Sequence, residues 1–160
     1  MIQRQVKQRM HLPKSFLISE MPLFDALDVA EVDIMEKWLI YKDLDAGSVV
    51  YKQGTNGRSV CFVVEGELSV VRRDSGGDVQ IATVKRGESV GEMAIIDGLT
   101  RSADVVATTD TSVLILKQDD FDKLVVQHPQ IGIKILKSLA KTLSMTLRDR
   151  SEALARQKHI

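Results

Sequence analysis

Cysteine is nearly absent from this chain: Cys61 stands alone among 160 residues. A single thiol closes no intrachain disulfide, so the expected setting is a reducing compartment, the cytoplasm. Histidine is almost as scarce. His11, His128 and His159 lie far apart and share no metal-ligand spacing, so no metal is expected. No apolar run approaches the ~18 residues a membrane helix needs, and the N-terminus lacks the continuous apolar segment of a secretory signal. Charge of one sign is missing too, because 22 basic and 22 acidic residues cancel. No global field therefore draws the chain to nucleic acid or to a membrane surface. There is also no P-loop, dinucleotide fingerprint or paired nucleophile and base, which leaves neither enzyme chemistry nor a catalytic cofactor to expect.

What is present fits one domain with an extension. Residues 1–20 read as a basic leader, with Arg4, Lys7, Arg9 and Lys14. Its Ile2, Val6 and Met10 step by four, as in an amphipathic helix; a frayed polar leader is the plainer reading. Order is expected from Met21. There Leu23, Phe24, Leu27, Val29, Val32, Met35, Trp38 and Leu39 have helical spacing, broken near Asp28.

Between residues 41 and 117, short runs rich in valine, isoleucine and tyrosine alternate with turn residues such as Gly47, Gly54, Gly66 and Gly87. The expected strands are 41–44, 48–52, 60–64, 67–73, 79–84, 103–107 and 113–117. Regular short strands of this kind suggest an antiparallel sandwich or barrel. After Lys117 the period becomes helical. Asp119 and Asp120 suit a helix start, and Pro129 opens a long helix that only Gly132 opposes before Gln157. Its stripe runs through Leu136, Leu139, Ala140, Leu143, Thr146, Leu147, Arg150 and Leu154. Such a stripe packs on a domain or on a partner helix.

The stretch from Gly87 to Ala107 carries the chemistry. Gly91 permits a sharp turn and close approach of a ligand, and residues 92–96 then form a short helix ending at Gly98. The Met93 and Ala94 amides are expected free at its N-terminus, where peptide dipoles attract anions. Arg101 can return to that terminus, and Ser102 adds a hydroxyl for a phosphate oxygen. Glu92 would repel a phosphate, so it needs another partner, such as a sugar hydroxyl. An anion and a hydroxyl held together describe a sugar phosphate.

Gly91-Glu92-Met93-Ala94 followed by Arg101-Ser102-Ala103 resembles the cyclic nucleotide-binding domains of the catabolite activator protein, protein kinase regulatory subunits and nucleotide-gated channels. The resemblance spans about residues 21–150, leaving 151–160 as a helix end, with Thr100 and Val90 where the family often has a proline and an aromatic. It implies a jelly-roll-like antiparallel β-roll (a double-stranded β-helix), mainly β, with N-terminal helices and a long C-terminal helix. By resemblance, Glu92 holds the ribose 2′-hydroxyl and Arg101 the cyclic phosphate, with the Met93 and Ala94 amides and Ser102 completing the phosphate site. Ala82, Val84 and Val90 would offer apolar surface to the base, Ala82 and Val84 sharing a strand face. Thr146 would reach the base edge, or Arg148 or Arg150 would act as a lid.

The resulting expectation is a stand-alone regulatory sensor that binds cAMP in preference to cGMP and signals by repositioning its C-terminal helix toward a protein partner or a second copy. The chain ends at Ile160, which leaves no room for a DNA-binding module. Two other classes compete: an oligomerisation or adaptor module with an unused pocket, and a cupin-type metalloenzyme. The second needs histidines inside the barrel, and all three lie outside the strands.

Overall fold

Eight strands and four α-helices follow one another along the described residues, 12–158 of a computed structural model. In chain order they are α1 (Lys14–Ser19), α2 (Val29–Met35), β1 (Ile40–Leu44), β2 (Val49–Tyr51), β3 (Ser59–Glu65), β4 (Glu67–Asp74), β5 (Gly77–Lys85), β6 (Ser89–Val90), β7 (Asp104–Ala107), β8 (Thr111–Lys117), α3 (Gln118–Gln127) and α4 (Pro129–Gln157). Short 3₁₀ helices occupy Pro22–Phe24 and Glu92–Ile95. The Ile2, Val6 and Met10 pattern lies outside the described residues.

All pairings are antiparallel, giving sheets of order β1-β8-β3-β6 and β2-β7-β4-β5. This is the jelly-roll order, in which most consecutive strands cross between two facing sheets while β4 and β5 form a hairpin within one. Strand β3 shows why they stack. Its side chains alternate between faces, and both faces are buried: Val60 and Phe62 join a core under the helices, while Cys61 and Val63 join a core between the sheets. Strand β8 divides likewise, with Leu114 and Leu116 toward the helices and Val113 toward the opposite sheet. Each such apolar side chain contributes about 1.5–3 kcal/mol when fully buried.

The helices cover one sheet only. Asp28 caps α2 through a reciprocal pair, accepting from the Glu31 amide at 2.8 Å while Glu31 accepts from the Asp28 amide at 3.1 Å. That cap is the physical cause of the break near Asp28. Helix α1 precedes the expected start of order, and its Leu17 and Ile18 are buried in the same core as Phe24 and Phe62.

Helix α4 is a single 29-residue element. Its buried ridge is Ile131, Ile135 and Leu139, stepping by four toward half-buried Leu143; Leu136, expected in the stripe, faces outward. Gly132 is needed where α4 meets α3, since a Cβ there would lie 2.8 Å from a Val125 methyl. An ion pair between Lys134 and Glu31 ties α4 to α2. From Ser144 to Lys158 every residue is exposed.

Candidate functional site

Gly91 has φ +84°, a left-handed conformation that L side chains avoid, and it caps the 3₁₀ helix Glu92–Ile95. Its missing Cβ matters twice, because a Cβ there would collide with Nη1 of Arg101. The loop carrying Arg101 is fixed from the other side by the Gly54–Gly57 turn. The Arg101 amide donates to Thr55 O at 2.7 Å, the Gly54 amide to Arg101 O at 2.9 Å, and the Gly57 amide to Leu99 O at 2.9 Å. Buried Asp104 anchors the strand that follows. It accepts from the Gln53 amide at 2.7 Å and pairs with Arg73 Nε at 2.6 Å.

The guanidinium held in this way has unusual company. Nη2 donates to Ser59 O at 2.6 Å, and Cζ lies 3.6 Å from the centroid of the Tyr51 ring. Nε is buried with no hydrogen-bond partner, and no ion pair engages Arg101 among the described residues. A half-buried cation lacking both a counter-ion and one hydrogen bond is costly unless an anion arrives.

A cleft of about 360 Å³ opens beside it, lined by Gly91, Glu92, Met93, Ala94, Arg101, Ser102 and Ala103, with Val90 at its wall. These are the phosphate and ribose residues read from the sequence, brought to one place. Glu92 is oriented by Ser89, whose hydroxyl donates to its Oε1 at 2.5 Å. One detail differs. The Ala94 amide donates to Gly91 O at 3.0 Å, because an i→i+3 helix uses that donor in its first turn. Among the described residues the Met93 amide has no such acceptor.

The residues read as base contacts are dispersed. Val84 is buried in the inter-sheet core opposite Leu68, and Ala82 pairs with Val70 but is itself exposed. Neither lines the cleft; Val70 and Val105 do. Thr146 is exposed on α4, its hydroxyl donating to Thr142 O at 3.0 Å. Arg148 and Arg150 are exposed on the same free stretch.

Sequence reasoning missed Tyr51, Ser59 and Val70, which come from strands far from Gly91 in sequence, and Val105, on the strand that follows Ala103. Only Ser89 carried a local signal, three residues before Glu92. Burial pushes the Tyr51 hydroxyl up to about 12, against the opposing pull of its bond with Ser59 and of the nearby Arg101 charge. Burial likewise pushes the neighbouring Cys61 thiol up to about 12. Both groups stay neutral at physiological pH. Among the described residues, no group of three or more His, Cys, Asp or Glu side chains is arranged to hold a metal ion.

The family model for the cyclic nucleotide-binding domain matches residues 41–128, over half of the chain. The chain belongs to that family. The cyclic nucleotide-binding domain is a regulatory module, and it occurs here in relatives of diverse kinds. The Cyclic AMP receptor protein of Thermus thermophilus is 31% identical over 123 residues, 76% of this chain and 57% of that protein. Glutaminase 2 of Bradyrhizobium diazoefficiens is 34% identical over 142 residues, 89% of this chain and 21% of that protein. A crystal structure of a cyclic nucleotide-binding domain from Methylobacillus flagellatus superposes with TM-score 0.77 at 25% identity, covering 91% of this chain and 82% of the other. The chain thus spans about a fifth to little over half the length of the two named relatives. The fold expected from the resemblance, a β-roll with flanking helices and a long C-terminal helix, is the one observed. Among the described residues no helix is long and apolar enough to cross a membrane.

Proposed function

We propose that this chain is a cyclic nucleotide sensor whose ligand is cAMP, held by its phosphate and ribose in the Gly91–Ala103 cleft. One observation carries the reading: among the described residues Arg101 is a half-buried guanidinium with no counter-ion, an unpartnered Nε and a cleft in front of it. A cyclic phosphate supplies the missing charge. In this reading Glu92, held by Ser89, accepts from the ribose 2′-hydroxyl, and the Met93 amide and the Ser102 hydroxyl add donors to the phosphate. The name of the Thermus thermophilus receptor favours the adenosine form.

The output is a movement of α4. Thr146 and the exposed half of the helix are away from the cleft, so contact with the base requires α4 to swing toward the roll, which happens only if ligand prefers the closed state. The exposed apolar residues Met145, Leu147 and Leu154 then offer a surface to a protein partner or to a second copy in the cytoplasm.

The deciding experiment is calorimetric titration of nucleotide-stripped protein with cAMP and cGMP, beside the Arg101→Ala variant. Micromolar or tighter binding of cAMP that the variant loses is expected. An intact protein that ignores both nucleotides would replace the sensor reading with the adaptor one.

A further inference from the structure

A second opening lies behind the first. A cavity of about 450 Å³ is walled by Lys42 and Leu44 of β1, Val49, Val50 and Tyr51 of β2, Arg58 and Ser59 at the start of β3, Ile115 and Lys117 of β8, and Asp119. It shares Tyr51 with the Arg101 cleft, so the bonded pair Tyr51–Ser59, 2.8 Å between hydroxyls, divides the two spaces.

Its chemistry follows from strand periodicity. Lys42 shares a face with Leu44 and Lys117 shares one with Ile115, by the two-residue repeat. Leu44 and Ile115 pack on the core between the sheets. Two lysines therefore stand at positions where the sandwich interior would continue apolar, and Arg58 adds a third cation at the same mouth. No ion pair engages Lys42, Arg58 or Lys117 among the described residues, and the lining holds one carboxylate, Asp119. Behind these cations the wall is aliphatic: Leu44, Val49, Val50 and Ile115. The two hydroxyls within reach are bonded to each other, so little is left to read a base or a sugar.

We propose that this cavity is a second ligand site, taking a small amphipathic anion whose aliphatic body lies on Leu44, Val50 and Ile115 and whose carboxylate or phosphate head meets Lys42, Arg58 and Lys117. It is separate from the nucleotide cleft and does not depend on how that cleft is used. Charge complementarity selects the anion, and the apolar floor selects the chain.

The test is titration of the full chain with decanoate, decyl phosphate and 1-decanol, below their aggregation limits, by calorimetry and methyl NMR. Saturable binding of at least one anion is expected, with shifts at the Val50 and Ile115 methyls and not at Val70 or Val105. The Lys42→Ala/Lys117→Ala variant, altered only at exposed side chains, should weaken that anion by about tenfold or more, in line with the loss of two charge-assisted contacts. The stronger of the two anions identifies the head group. The proposal is overturned if 1-decanol binds as well as the anions, if the double variant binds them unchanged, if shifts fall on Val70 and Val105 instead, or if neither anion binds.

Discussion

The space that a Cβ would need on Gly91 is filled by Nη1 of Arg101. One residue's lack of a side chain is thus the other's seat, and the two are ten positions apart on a loop held by Thr55 and Gly54. Gly91→Ala should be destabilising on two counts. A left-handed non-glycine residue costs about 1–2 kcal/mol, and the guanidinium must move. Urea denaturation should show a lower midpoint, and cAMP affinity should fall with it; a variant matching the parent in both would show that the seat is not needed.

Arg101→Lys separates charge from shape. A lysine keeps the charge but lacks the planar fork that both covers Tyr51 and reaches Ser59 O. Affinity for cAMP is expected to drop by about tenfold or more, less than in Arg101→Ala, where loss of a desolvated charge contact should cost about 2–5 kcal/mol. Thermal melts should show both variants folded. Equal affinity in parent and lysine variants would reduce the arginine to a point charge.

Ser89→Ala leaves Glu92 without the hydroxyl that orients it. Binding of cAMP should weaken by several-fold, roughly the 0.5–1.5 kcal/mol of one hydrogen bond. The 2′-deoxy nucleotide, which has nothing for Glu92 to accept from, should bind both proteins alike. A similar loss for the deoxy ligand would remove Glu92 from the ribose role.

Alkaline pH should unfold the domain in a defined window. Cys61 and Tyr51 are both raised by burial to about 12 from ordinary values of 9.0 and 10.0. Above pH 9 the unfolded chain releases protons that the folded one keeps, so stability falls as pH rises. The contribution is whole below pH 9 and is lost progressively between 9 and about 12. Urea midpoints measured across this range should decline, and Cys61→Ala should flatten the first part of the slope. A decline of the same steepness in that variant would assign the effect elsewhere.

If α4 pairs with a second copy, Leu147→Glu/Leu154→Glu should convert a dimer to a monomer in sedimentation equilibrium while leaving thermal stability nearly unchanged, since both side chains are exposed. A parent protein that is monomeric at all concentrations would assign that stripe to another partner.

Most strands were legible in the sequence because they are short runs rich in valine, isoleucine or tyrosine set off by turn residues, and α4 because Pro129 and a long polar-apolar period announce it. Strand β6 has only Ser89 and Val90, too short for any period. Helix α1 was hidden in a basic leader, since two buried side chains in six residues make a weak stripe. At the site, the Gly91–Ala103 residues were readable because they lie on one loop. Tyr51 and Ser59 reach Arg101 only through strand pairing, and no local pattern announces a contact between residues so distant in sequence. The inward face of α4 was legible only in part, Leu139 and Leu143 of the stripe packing on the core while Leu136 faces outward, for a different reason. Apolar residues occur on both sides of α4, and only the docked ridge at Ile131, Ile135 and Leu139 says which side is inward.

The free half of α4 has a mechanical meaning. Residues 144–157 extend about 21 Å past the last packed leucine, at the 1.5 Å rise of a helix. A tilt of ten degrees about the Gly132 contact would shift buried Leu139 by roughly 2 Å and carry the tip, about 37 Å along the helix, sideways by roughly 6 Å. If ligand moves α4 as proposed, the helix would act as a pointer with gain: a small shift at the buried ridge of Ile131, Ile135 and Leu139 would become a larger one at the exposed end, where a docked protein would read it.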